Sequence, residues 1–304
     1  MPYCRTDDRV RIYYEEHGPA PAAGGRPDDA AGRRRRDRAS GTPLVLAYGI
    51  GGNTDMWDTN TAALAARHRL ILWEPRGHAR SDSPADPAKY SFARWALDLR
   101  DLLDHLGLRT AHVGGLSLGG AIATRFALRF PSRVRSLLVT NSSSASGLPL
   151  SVENLVMRAR SIEITLTQGM DAMAEYAMAT NPNLVARLAL NPDAKAEFYE
   201  EYRRLSPIGY ANSCRALIAM DHITAELPRL ADRKIPVLLI GGDRDPSLGP
   251  MRVMHRKIRG SKLVVLSPAS HFANRDQPEA WNRAALDFLA RCDGRVALRR
   301  RGAA

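Results

Sequence analysis

One pentapeptide in this chain has the make-up of an activated nucleophile: Gly115-Leu116-Ser117-Leu118-Gly119, followed by Gly120. His112 to Leu116 reads as a buried strand and 118–130 as a helix rich in small residues, so Ser117 falls at a strand-to-helix turn. So sharp a turn leaves no room for side chains at the flanking positions, which are both glycine. It would hold Ser117 in strained backbone geometry with its hydroxyl above the sheet edge. The Leu118 amide opens the helix, where its N–H and the helix dipole can receive a developing oxyanion.

A serine hydroxyl needs a base to take its proton and an acid to orient that base. On an elbow of this kind the acid and then the histidine follow in sequence, each on a loop after a strand. Three histidines follow Ser117. His222 lies in a helical block and His255 within a helix, whereas His271 follows the strand Leu263 to Leu266 and precedes the last helix. His271 is the expected base. The loop Gly241-Gly242-Asp243-Arg244-Asp245-Pro246 offers two carboxylates. Asp245, further out on the loop, can reach His271, and Asp243 stands as the alternative. A second oxyanion donor is expected from Gly49-Ile50-Gly51-Gly52, at the Ile50 amide.

The elements that must position these groups alternate between strand and helix, the pattern of an α/β protein with a mostly parallel sheet. Strands are expected at Tyr3–Arg5, Val10–His17, 43–48, 70–73, 112–116, 134–140, 237–240 and 263–266. Helices are expected near 57–67, at 118–130 and at about 277–291. A further helix at 92–106 carries one apolar stripe, with Phe92, Trp95, Leu99, Leu102, Leu103 and Leu106 at helical spacing. From 147 to 228 only helical periodicity appears, as in a helical cap inserted between two halves of a core formed by 1–146 and 229–292.

The chain of 304 residues carries a formal charge of +12. Residues 18–41, with six Arg and three Asp, hold +3, and 291–304, with five Arg and one Asp, hold +4. The first segment reads as a basic flexible insertion and 293–304 as a basic tail. Only five of the 44 basic residues are Lys, which points to a general bias toward Arg, so a nucleic-acid partner is not expected. Cys4, Cys214 and Cys292 have no CxxC spacing and read as reduced thiols. The start has no apolar stretch after its charges and no apolar run reaches the ~20 residues of a membrane span. A soluble, cytoplasmic protein is expected, and the sequence leaves its oligomeric state open.

The chain resembles the α/β-hydrolases, within them most closely the 3-oxoadipate enol-lactonase group and the neighbouring esterase, perhydrolase and C–C hydrolase branches. The resemblance rests on Gly115 to Gly120, on Glu74-Pro75-Arg76-Gly77-His78 and on His271-Phe272-Ala273-Asn274 running to Gln277-Pro278-Glu279. Within the helical block, Gly169-Met170-Asp171-Ala172-Met173, Gly209-Tyr210-Ala211 and Met220-Asp221 favour the lactonase branch. The chain departs from the family's pattern at Tyr48 (often His), Glu74 (often Asp), Ala79 (often Gly) and Ser270 (often Gly).

The resemblance implies an α/β-hydrolase fold and a triad of Ser117, Asp245 and His271 acting on a small-molecule ester or lactone. No metal or organic cofactor is called for, and no His, Cys or carboxylate cluster shows metal-ligand spacing. The cap would roof the site; Met157, Met170, Met173, Met178 and Met220 could line a pocket or simply pack helix on helix. Arg158 and Arg160 could meet a substrate carboxylate, with solvent exposure the plainer expectation. A hydrolase-fold binding protein with little turnover is the rival from another class.

Overall fold

A computed structural model of the chain describes residues 2–18 and 41–301. The expected insertion 18–41 therefore lies outside the described residues except at its two ends, as do residues 302–304 of the expected tail.

Eight strands form one sheet: β1 (Tyr3–Arg5), β2 (Arg11–His17), β3 (Gly41–Ala47), β4 (His68–Trp73), β5 (Ala111–Leu116), β6 (Val134–Thr140), β7 (Val237–Gly242) and β8 (Lys262–Leu266). Their spatial order is β1-β2-β4-β3-β5-β6-β7-β8. The first two pair antiparallel at one edge, and β4 through β8 run parallel. The mostly parallel α/β fold expected from the alternation is the fold observed.

Parallel strands covered on both faces must be apolar throughout. In β4, Leu70 and Leu72 point to one face and Ile71 and Trp73 to the other; in β3, Leu44 and Leu46 oppose Val45 and Ala47. The period of two thus feeds two cores. One is closed by α2 (Phe92–His105) and α3 (Leu118–Arg129), after α1 (Asp58–Ala65) on the other side. The apolar stripe of α2 buries Phe92, Trp95, Leu99, Leu102 and Leu103, and Ser91 caps its N-terminus by accepting from the Arg94 amide.

Between β6 and β7 the chain forms α4 (Val152–Thr167), α5 (Gly169–Thr180), α6 (Pro182–Leu190), α7 (Ala194–Arg203), α8 (Pro207–Ile218) and the short α9 (Pro228–Asp232). Sheet rhythm then returns with α10 (Leu248–Lys257), the four-residue α11 (Ala273–Asp276) and α12 (Pro278–Arg301). The last helix runs to Arg301, well past the end expected near 291, so most of the segment read as a basic tail continues that helix. His222 lies in a loop after α8 and not within a helix. Among the described residues no helix is long and apolar enough to cross a membrane.

Candidate active site

Ser117 sits between the last residue of β5 and the first of α3, with φ 54° and ψ −115°, a backbone conformation that a residue with a Cβ adopts only under constraint. The constraint is the contact with β3. A Cβ on Gly115 would stand 2.3 Å from the Ala47 carbonyl oxygen, and one on Gly119 would stand 2.2 Å from the same atom. The Ser117 amide donates to the Thr140 carbonyl and the Gly119 amide to that of Tyr48. The Ser142 hydroxyl donates to the Ser117 carbonyl at 2.6 Å. Leu118 takes the first helical position, where an N–H has no partner within the helix.

His271 stands on the loop after β8. Its Nδ1 is 3.1 Å from Asp245 Oδ2. A carboxylate can only accept, so Nδ1 carries the hydrogen and Nε2 of the neutral ring keeps its lone pair. Asp245 is buried and also accepts from the amide of Ser247, at 3.0 Å, and from its hydroxyl. Burial alone would raise the Asp245 carboxyl; the charge and hydrogen bond of His271, with the Ser247 bonds, bring it below the ordinary carboxylate value. Asp243 faces elsewhere, accepting from the Ser267 hydroxyl at 2.6 Å and the Ala269 amide at 2.8 Å.

Ser117 and His271 line one cavity together with Tyr48, Gly49, Ile50 and Gly51. Leu118 is not among its lining residues, and its side chain packs in the core. A Cβ on Gly49 would lie 3.1 Å from Ser117 Cβ, so glycine there lets the loop after β3 close over the serine. The far wall comes from the helical segment: Arg158, Asn181, Asn183, Leu184, Phe198, Glu201 and Tyr202.

Arg158 lies beside Cys214, Tyr202 and Tyr210, and among the described residues no carboxylate pairs with it. Arg160 is exposed and pairs with Glu163 at 2.6 Å. Burial, with repulsion from Glu197, pushes the Glu201 carboxyl up to about 8. Of the five methionines singled out in the sequence, Met170, Met173, Met178 and Met220 pack in the core, and none of the five lines this cavity.

Several further groups fix the loops around the site, and Asn141 among them is silent in the sequence. Asn141, at φ 42°, donates from Nδ2 to the carbonyls of Ser270 and His271 and accepts the Gly242 amide. The Tyr48 hydroxyl donates to Asn274 Oδ1 at 3.0 Å, so this tyrosine ties down its loop. Ser270 is fully buried, its hydroxyl on Asp276. Asp276 also pairs with Arg187 of α6, joining the loop of His271 to the helical segment.

The family model of the alpha/beta hydrolase fold matches residues 42–278. A 3-oxoadipate enol-lactonase of Acinetobacter baylyi is 30% identical over 250 residues, covering 82% of this chain and 88% of that protein. A putative carbamate hydrolase of Azorhizobium caulinodans is 28% identical over 300 residues, covering 96% of this chain and 100% of that one. Among solved structures, the enol-lactonase from Burkholderia xenovorans superposes with a TM-score of 0.76 at 26% identity, covering 95% of this chain and all of that one.

Proposed function

The chain belongs to the α/β-hydrolase fold family, and from that premise we propose a serine hydrolase that opens a carboxylic ester or lactone through an acyl-enzyme on Ser117. The observation that carries this reading is the cavity shared by Ser117 and His271, with Asp245 hydrogen-bonded behind the imidazole.

In this mechanism His271 Nε2 takes the hydroxyl proton as Ser117 Oγ attacks the carbonyl carbon. Asp245 holds the Nδ1 hydrogen and stabilises the imidazolium. The amides of Leu118 and Ile50 receive the oxyanion; one such donor is worth about 10²–10³ in rate. Collapse of the tetrahedral adduct breaks the carbonyl–oxygen bond, and His271 returns the proton to the leaving oxygen. Water, activated by the same base, then releases the acid and restores Ser117. The helical segment roofs the cavity, and Arg158 in its wall, with no carboxylate partner among the described residues, supports a substrate bearing an acidic group.

Turnover of p-nitrophenyl acetate and small lactones by the intact chain, compared with Ser117→Ala, tests the reading. Loss of at least about 10³-fold in kcat supports it. A rate unchanged by the substitution sinks it in favour of a binding protein. A panel of esters, lactones and vinylogous diketones separates ester hydrolysis from C–C cleavage on the same residues.

A further inference from the structure

At the other end of the sheet three side chains converge that the hydrolytic reaction does not use. His68 opens β4, His112 is the second residue of β5, and Asp293 lies on α12. Both imidazoles are buried and the carboxylate is partly so. One ligand atom from each of the three lies within 4.8 Å of the others. His112 Nε2 and Asp293 Oδ1 are 3.2 Å apart. Two ligands about 2.0–2.1 Å from a tetrahedral ion stand about 3.3 Å from one another.

The partners behind these three groups match a metal's outer shell. His68 Nδ1 is 3.0 Å from the Thr42 carbonyl, which can only accept; the ring hydrogen is therefore on Nδ1 and the Nε2 lone pair is open. His112 Nδ1 is 2.7 Å from Ser136 Oγ. The Thr42 hydroxyl donates to Asp293 Oδ1 at 2.5 Å. Each ligand is thus held by a second group that fixes its orientation, as bound metals require of their surroundings. The two rings meet edge to face, 5.7 Å between centroids.

The geometry points to a divalent transition-metal site of the zinc class, formed by His68 Nε2, His112 Nε2 and Asp293, with water at the fourth position. Two imidazoles and a carboxylate without thiolate suit zinc, and cobalt as its coloured substitute. The ion takes the place of the hydrogen between His112 Nε2 and Asp293, and the ring hydrogen moves to Nδ1, facing the Ser136 hydroxyl. Ser117 lies five positions on from His112, about 16 Å along the strand, so the ion clasps α12 to the starts of β3, β4 and β5 and takes no part at the serine. The inference is independent of the proposed hydrolysis.

The test strips the full chain with a chelator and titrates it with Zn²⁺ and, separately, Co²⁺. The expected result is one ion per chain by equilibrium dialysis, tetrahedral Co²⁺ absorption bands, and a melting temperature higher by roughly 3–6 °C at saturating zinc. His68→Asn keeps a donor for the Thr42 carbonyl while removing the Nε2 ligand; it and Asp293→Asn should each weaken binding at least about tenfold. Two variants guard against one failing to fold, and metal-free melting curves report which are native. His271→Gln should bind zinc as the parent does. Absence of stoichiometric binding overturns the site, as does binding that survives His68→Asn and Asp293→Asn and disappears in His271→Gln.

Discussion

The side chain of Asn141 holds the backbone of His271: its Nδ2 donates to the His271 carbonyl at 2.7 Å and to that of Ser270 at 2.8 Å. Through Oδ1 the same amide accepts from Gly242 at 2.9 Å, so one residue at the end of β6 ties the loop of His271 to the end of β7, ahead of Asp245. Asn141→Ala leaves a buried amide and two carbonyls without these partners, at a cost of about 1–3 kcal/mol in a denaturant melt. It should lower kcat at least about tenfold with KM little changed, because the base is misplaced and the cavity wall is not. Asn141→Asp keeps the acceptor for Gly242 but turns a buried carboxylate oxygen toward two carbonyl oxygens; it should recover neither stability nor rate.

The two aspartates after β7 should separate in a kinetic comparison. Asp245→Asn removes the acceptor that fixes the His271 tautomer and should lower kcat by about 10⁴. Asp243→Asn disturbs only the Ser267 and Ala269 bonds, and should cost about 1 kcal/mol of stability with less than about a tenfold change in rate. The reverse ranking would exchange their roles.

Arg158→Met should raise KM for an ester carrying a carboxylate by about 10–100-fold, the loss of one charge-assisted hydrogen bond. The corresponding neutral ester should be affected less than about threefold. Equal effects on the two would mean that Arg158 shapes the cavity without reading charge.

Glu201 shares that cavity, and its folded carboxyl, held up to about 8, takes up a proton that the unfolded chain releases near about 4.3. Its contribution is fully present below the unfolded value and is lost as pH rises through about 8. Melts from about pH 5 to 9 should therefore show stability falling with pH, more shallowly in Glu201→Gln. Ionised Glu201 also opposes an anionic substrate, so KM for an acidic ester should rise above about pH 8 in the parent and stay flat in the variant.

The strands and the elbow were legible because burial on both faces of a parallel sheet forces continuous apolar runs, and because only glycine fits against the Ala47 carbonyl at positions 115 and 119. Val134–Thr140 falls at its expected limits. Position on the loop favours Asp245 over Asp243, and Asp245 is the one hydrogen-bonded to His271; the direction of each side chain, which separates the two, is not carried by the sequence. Asn141 and Ser142 carry no local signal of a role; their bonds reach 130 and 25 residues along the chain. His112 and Asp293 are 181 residues apart, so spacing rules for metal ligands had nothing to register.

Adjacent strands β6 and β7 are joined through the whole helical segment, yet Leu137 pairs with Val237 and Thr140 with Ile240 in unbroken parallel register. The chain leaves β6 at Thr140 and re-enters β7 at Val237, opposite Leu137, so the two points are fixed at opposite ends of one parallel strand pair. In engineering terms they form a socket: a different set of helices could be spliced between them without altering any strand pairing. The graft would need to restore the attachments to the core, among them the Arg187–Asp276 pair, the bond from Arg125 to Asp221 at 2.6 Å and the Arg204–Asp55 pair at 3.2 Å. The lining of the cavity could then be exchanged as a module while Ser117 and His271 stay where β5 and β8 put them.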